Sequence, residues 1–160
     1  MAEKGYLILK MEGNQVNGDA LDSDHQNEIE VLAYDHKVER ASDNVTGLIT
    51  GELAYSSLSI VKEIDQASPV LQQGMADGKK FEGALQLWRT PPEEGGKPVH
   101  WYTIEFTNAS LVGIDQYKPL VLDKSQQDLK DMEKISFRYV KITFTHLASS
   151  KIGEFDFSAK

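Results

Sequence analysis

Within the 160-residue chain, only residues 62–80 carry a full set of helix signals, so this stretch fixes what the others must build. Asp65 or Ser68 is placed to cap the start, its side-chain oxygen accepting from an orphan backbone N–H. Pro69 suits the first helical position, where its missing N–H costs nothing. Gly78 is placed to take the left-handed conformation that stops a helix. Glu63 and Asp65 stand near the positive end of the dipole, Lys79 and Lys80 near the negative end. Ile64, Ala67, Leu71 and Met75 recur at helical spacing and give one apolar face. The segment predicts a helix over about residues 65–77, and its apolar face needs a sheet to lie on.

Strands supply the sheet. Residues 5–11 form a short apolar run, 13–27 read as a polar loop, and 28–40 alternate as one long strand. Residues 41–55 are irregular and long for a connection, with Leu48 and Ile49 as an apolar tip between Gly47 and Gly51. A strand over 58–64 runs into the helix. Beyond it, 80–89 and 99–108 form a hairpin around a Gly- and Pro-rich turn at 90–98. A symmetric register pairs Leu87 with Tyr102, Leu85 with Ile104 and Gly83 with Phe106, which keeps one face apolar. The same register sets Trp88 opposite Trp101 on the outer face. Residues 110–117 read as a further strand, 118–134 as a polar loop with a short helical turn, and 135–147 as a single strand rich in β-branched and aromatic residues. The tail alternates through Phe155 and Phe157. The expectation is a mainly β fold, a small β-barrel or sandwich of antiparallel strands with one flanking helix, as a single domain over 1–160.

Composition narrows the function. A formal net charge of −8 argues against nucleic acid as a partner. The chain has no cysteine, which removes thiolate nucleophiles, disulfides and Cys-based zinc sites. No secretory signal is visible at the N-terminus, and no stretch is apolar and long enough to span a membrane. Gly13 and Gly18 have the spacing of a phosphate loop, but Asp19 and Ala20 follow where Lys and Ser or Thr are required. Asp22, Asp24 and Glu28 suggest calcium, yet Asn27 and Ala33 stand where an EF-hand needs Gly and Glu. His25, His36, His100 and His146 lack the spacing of a helical zinc pair. Nothing singles out a catalytic pair of carboxylates. No enzyme activity and no cofactor are expected. Two acceptor tripeptides for glycosylation, at Asn44 and Asn108, carry no weight without a secretory signal.

Residues 62–71, reading Lys-Glu-Ile-Asp-Gln-Ala-Ser-Pro-Val-Leu, resemble the K-x-I-D-x-x-S-P-x-L stretch of the hemolysin-coregulated proteins (Hcp) of bacterial type VI secretion. Gly18, Asp22, Asp24, His25 and Ile29 with Val31 are similar to that family's region ahead of its helix. The opening strand, the Trp88 hairpin and the late strand ending at His146 follow in the same order, so the resemblance covers essentially the whole chain. It implies a small β-barrel with a flanking helix, assembling into a homo-hexameric ring. Rings stack into the inner tube of a contractile sheath, driven outward behind a spike protein, with small effectors carried in the lumen. It implies export without a cleaved signal from a cytoplasmic pool, and no catalytic site unless a toxin domain is fused; none is expected here, since the chain ends soon after its last strand. Ala20 stands where the family has a serine, and residues 47–51 replace a more polar stretch in the extended loop that, in the family, reaches an adjacent subunit.

A closed ring needs two different patches on each subunit. The candidate interface residues are Leu48, Ile49, Trp88, Trp101, Phe155 and Phe157. The competing readings are a carbohydrate-binding β-sandwich that stacks sugars on Trp88 and Trp101, and a hydrolase for which no residue is specific. Burial of the tryptophans by their own chain is the plain alternative for that pair.

Overall fold

The computed structural model describes residues 3–91 and 96–158. Its strands, in chain order, are β1 (Gly5–Met11), β2 (Asn14–Val16), β3 (Ile29–Val31), β4 (Ala33–Asp35), β5 (Val38–Ser42), β6 (Ile49–Tyr55) and β7 (Leu58–Glu63), then helix α1 (Ala67–Ala76). They continue with β8 (Lys80–Arg89), β9 (Val99–Tyr117), β10 (Met132–Arg138), β11 (Lys141–His146) and β12 (Lys151–Asp156). All pairings are antiparallel, as expected of a mainly β chain.

The spine is β9. It pairs with β8 along one side, and on the other with β11 over its first half and β10 over its second. The sheet runs β2-β1-β8-β9-β10-β7-β4, with β12 outside β11 and β3 on β1. Residues 29–35 link its far ends: β3 pairs with β1, β4 pairs with β7, and between them the Leu32 N–H donates to the Val61 carbonyl at 2.9 Å. The inward face is mostly apolar, with Leu7, Ile29, Ile60, Leu85, Ile135 and Phe137 each sealed from solvent. Each such side chain contributes about 1.5–3 kcal/mol through burial.

The expected register of the large hairpin holds in its middle: Gly83 faces Phe106, Leu85 faces Ile104 and Leu87 faces Tyr102. Beyond Leu87 the register shifts, and Trp88 faces His100. The expected Trp88–Trp101 pair is therefore corrected by a bulge, which inserts a residue and rotates the neighbouring positions to the other face. Residues 92–95 of the expected turn lie outside the described residues.

Other expectations change in the same way. The long strand over 28–40 is three short ones, because the segment passes from pairing with β1, to β7, to β6. The irregular stretch 41–55 is mostly strand, the second half of a projecting hairpin. The strands expected at 99–108 and 110–117 are continuous. The single strand expected over 135–147 is two, broken at Tyr139 and Val140.

The helix is shorter than expected and turned. Pro69 is its third residue rather than its first, which is tolerated because the first four N–H groups have no partner inside a helix. The N-cap position is Gln66, whose side chain makes no capping bond, rather than Asp65 or Ser68. Beside it the Asp65 carboxylate accepts from the Ala67 N–H at 3.0 Å, while Ser68 Oγ accepts from the Asp65 N–H. Gly78 takes the left-handed conformation, with φ of 67°. The buried face is Ala67, Ser68, Leu71 and Gly74, and Ile64 and Met75 are exposed. Gly74 explains the rotation. A Cβ there would come within 2.7 Å of Met11 Sδ and 2.9 Å of the Phe81 ring, so the helix backbone lies directly on the sheet.

Candidate functional site

A cluster of exposed apolar residues lies on the β5–β6 hairpin, hereafter the arm. Val38 faces Tyr55, Glu39 faces Ala54 and Arg40 faces Leu53, and the pair forms a sheet of its own. Its turn is tied by Asp43, whose Oδ1 accepts from the Val45 N–H at 2.7 Å and the Thr46 N–H at 3.3 Å. Those backbone bonds hold the Asp43 carboxyl below the usual carboxylate range. At the tip Val45, Leu48 and Ile49 are 93%, 66% and 64% exposed. A two-stranded hairpin is marginal in water by itself. Apolar side chains at its tip cost solubility unless something covers them.

The arm is fastened at its root on both sides, through Tyr55 and through His36, each meeting Tyr139. The Tyr55 hydroxyl donates to the Tyr139 carbonyl at 3.0 Å, and the Tyr55 ring stacks on Tyr139 and on Phe157, with centroids 4.8 and 4.1 Å apart. The Arg138 guanidinium lies over the Tyr55 ring at 4.7 Å. Across the root, the Tyr139 hydroxyl is hydrogen-bonded to Nε2 of His36. Both strands of the arm therefore end on Tyr139, which sits in the break between β10 and β11. Burial raises the Tyr139 phenol above its ordinary value and lowers His36.

The tryptophans do not share a platform. Trp88 stacks on His100 at 5.2 Å and meets the edge of His25 at 4.8 Å, while His25 stacks on Tyr6 at 3.7 Å. Part of its surface is thus covered by its own chain, and Trp88 is half-buried. His25 is buried and bonded to Glu28 at 2.7 Å. His100 is lowered by burial, with some opposition from its hydrogen bond at Tyr102, and bonds to Thr103 Oγ1. Trp101 lies apart, under the Arg89 guanidinium at 4.7 Å and beside His146. It borders a recess of about 260 Å³ with Tyr34, His36, Leu87, Tyr102 and Phe144. Of the tail residues, Phe155 packs edge-on to Phe144 and Phe157 packs on Tyr55, so both serve the chain's own edge. Of the six expected interface residues, Leu48 and Ile49 stand out at the arm tip, and Trp101 is half-buried beside the recess. Trp88, Phe155 and Phe157 make ring contacts within the subunit and each is half-buried, with part of its surface open.

A buried polar knot went unrecognised in the sequence. Lys62 and Glu133 are both fully buried and joined at 2.9 Å. Lys62 Nζ also donates to Asp65 Oδ1 at 2.8 Å, to the Glu63 carbonyl and to Ser68 Oγ. Ser68 Oγ donates to Glu133 Oε1, and Gln116 Nε2 donates to Glu133 Oε2 at 2.6 Å. Gln66 extends the knot to the Gly18 carbonyl. It joins β7, the start of α1, β10 and β9. Among the described residues, no buried side-chain nitrogen or oxygen lacks a partner. The one available signal was the Lys62, Asp65, Ser68 spacing, which the knot uses in full.

Among the described residues there is no group of three or more histidines or carboxylates placed to hold a metal, and no helix long and apolar enough to cross a membrane. What remains is a scaffold with one exposed arm.

Known proteins share this scaffold. The family model described as type VI secretion system effector, Hcp, matches residues 8–146. The "Major exported protein" of Pseudomonas aeruginosa is 29% identical over 140 residues, 87% of this chain and 80% of that protein. Among solved structures, Hcp1 from E. coli EAEC 042 superposes with a TM-score of 0.84 at 25% identity, over 98% of this chain and 99% of that one. The secreted protein Hcp3 from Pseudomonas aeruginosa superposes with a TM-score of 0.72 at 23% identity, over 96% and 99%.

Proposed function

Starting from the fact that this chain belongs to the Hcp family of type VI secretion proteins, and so is a secreted structural tube protein rather than an enzyme, we propose how it assembles. It acts as one Hcp-like domain over 1–160 and forms a homo-hexameric ring. Rings stack into the inner tube, enclosed by the contractile sheath and capped by the spike protein. Small effectors ride in the lumen and are sheltered there. The protein is made in the cytoplasm and leaves without a cleaved signal.

The arm carries this reading. It projects as a separate two-stranded sheet with Leu48 and Ile49 exposed at its tip. Ring closure requires a projecting patch on one side of a subunit and a receiving patch on another. The arm supplies the first, and the aromatic recess beside Trp101 is suited to be the second. Trp88, stacked on His100 and standing apart from Trp101, offers no paired platform for a sugar, and its open part leaves it available to a neighbouring subunit. Light scattering with negative-stain imaging of purified protein tests the assembly. Rings of six are expected; a strict monomer at high concentration would overturn it.

A further inference from the structure

The His36–Tyr139 contact has a property that packing alone does not require. Tyr139 is 1% exposed, and its hydroxyl is bonded to His36 Nε2. Neutral His36 can accept that phenolic hydrogen. An imidazolium carries a hydrogen on both ring nitrogens and has no lone pair left to accept with. On protonation the phenol must become the acceptor, and its own hydrogen loses this partner. His36 lies in the short link between β4 and β5, where the chain leaves the body for the arm. It is half-buried, so protons reach it.

We propose that the His36–Tyr139 contact is an acid-released latch on the arm: with His36 neutral the arm root is held to the body, and with His36 protonated the root loosens and the arm loses its fixed angle.

The surrounding groups leave burial dominant, with one carboxylate acting against it. On the arm's own link, Asp35 favours the proton, but Asp35 is itself 3.7 Å from Lys134 on β10. Lys37 is engaged by Glu39 at 2.7 Å. From the β10–β11 break, the Arg138 guanidinium stands over Tyr55, and Tyr139 offers only its phenol. β4 and β9 present Tyr34 and Tyr102 to the same recess, β11 presents Phe144, and none of the three adds an acid to its lining. Burial opposing the proton is therefore the largest influence on His36. The second fastening, Tyr55 on the Tyr139 carbonyl, contains no imidazole, so acid acts on one side of the root only.

The latch rests on reading the arm as a subunit contact only for its consequence, acid-sensitive ring assembly. Its own test does not. The chain has no cysteine, so spin labels can be placed at T46C on the arm and E105C on the body, both exposed, without removing native thiols. Labelled protein is diluted into excess unlabelled protein, and the distance distribution is read by pulsed EPR at about pH 7.5 and in steps down to about pH 4.5, past the ordinary histidine range because burial lowers His36. A narrow distribution at the higher pH that broadens reversibly at the lower is expected. His36→Gln keeps an acceptor for the phenol and no titration, and should stay narrow at both. Tyr139→Phe keeps the ring stack and removes the latch, and should be broad at both. An unchanged distribution in acid, His36→Gln broadening as the parent does, or a narrow Tyr139→Phe would each overturn the latch. Failure to form rings at neutral pH counts against the tube reading instead, and leaves the distance measurement intact.

Discussion

The knot and the arm invert the usual placement of side chains. In the knot, Lys62 and Glu133 are charged and fully buried. In the arm, Leu48 and Ile49 are apolar and about two-thirds exposed. Each placement is costly unless something compensates. In the knot the compensation is internal: each charged group meets an opposite charge and further hydrogen bonds within one subunit. In the arm it is missing from the subunit. On the assembly proposed above, the knot serves folding and the arm serves association, and mutations should separate the two.

The largest effect on folding is expected at the knot. Lys62→Ala leaves Glu133 buried without its cation, and breaking a buried pair from one side costs about 3–5 kcal/mol. Urea or thermal denaturation measures it. Lys62→Met with Glu133→Gln removes both charges and should recover a good part of that loss. If the double change is as unstable as the single one, the cost lies with Asp65, which loses the same cation, or with the geometry of the knot, and adding Asp65→Asn separates the two.

Next comes the helix that the knot anchors. Gly74→Leu forces a side chain into the space of Met11 and Phe81. Overpacking of this kind costs about 1–3 kcal/mol, again read by denaturation. A neutral Gly74→Leu would mean that the helix can lift from the sheet, and that the knot alone fixes its start.

Acid should reach the molecule through the histidines. His100 and His36 are both lowered from the ordinary value of 6.5, chiefly by burial. Below that value the unfolded chain binds more protons than the folded one, so stability falls as pH falls through 6.5 toward the folded-state values. His100→Gln should flatten part of the slope of unfolding free energy against pH. An unchanged slope would place the acid sensitivity elsewhere.

The same contrast explains how much could be read from the chain. The hairpin register was legible because Leu85, Leu87, Ile104 and Phe106 repeat with period two, and a slip of one would turn them all to solvent. The bulge at Trp88 was not, since an extra residue leaves no mark on either tryptophan. The helix was legible in its stop at Gly78 but not in its cap or its face. Met75 looks apolar enough to be buried, and only the close approach at Gly74 shows otherwise. The knot was hidden because Lys62 and Asp65 read as ordinary surface charges until Glu133 arrives from β10. Residues 41–55 read as irregular because β6 pairs only with β5, and the alternation of Ile49, Leu53 and Tyr55 is interrupted by Gly51 and at most half-buried. Its tip was nonetheless identified, because Leu48 and Ile49 between two glycines have no nearby partner in any strand. The anchor was missed: Tyr139 sits in a run of β-branched and aromatic residues that reads as one strand, and the break there is set by tertiary contacts.

The smallest effect on stability should come from the arm tip, and it is the most informative. Leu48→Asp with Ile49→Asp alters two side chains that are largely in solvent within the subunit. Exposed changes of this kind usually fall within about 0.5 kcal/mol of the parent. Denaturation midpoints should barely move. Association should respond strongly, because a carboxylate placed at the centre of an apolar contact is buried without a partner when the interface closes. Rings seen by negative stain should give way to monomers in light scattering, while Lys62→Met with Glu133→Gln, if it folds, should still form them. If the arm-tip change leaves ring formation intact, the arm does not carry the subunit contact, and the division of labour between arm and knot fails at that point.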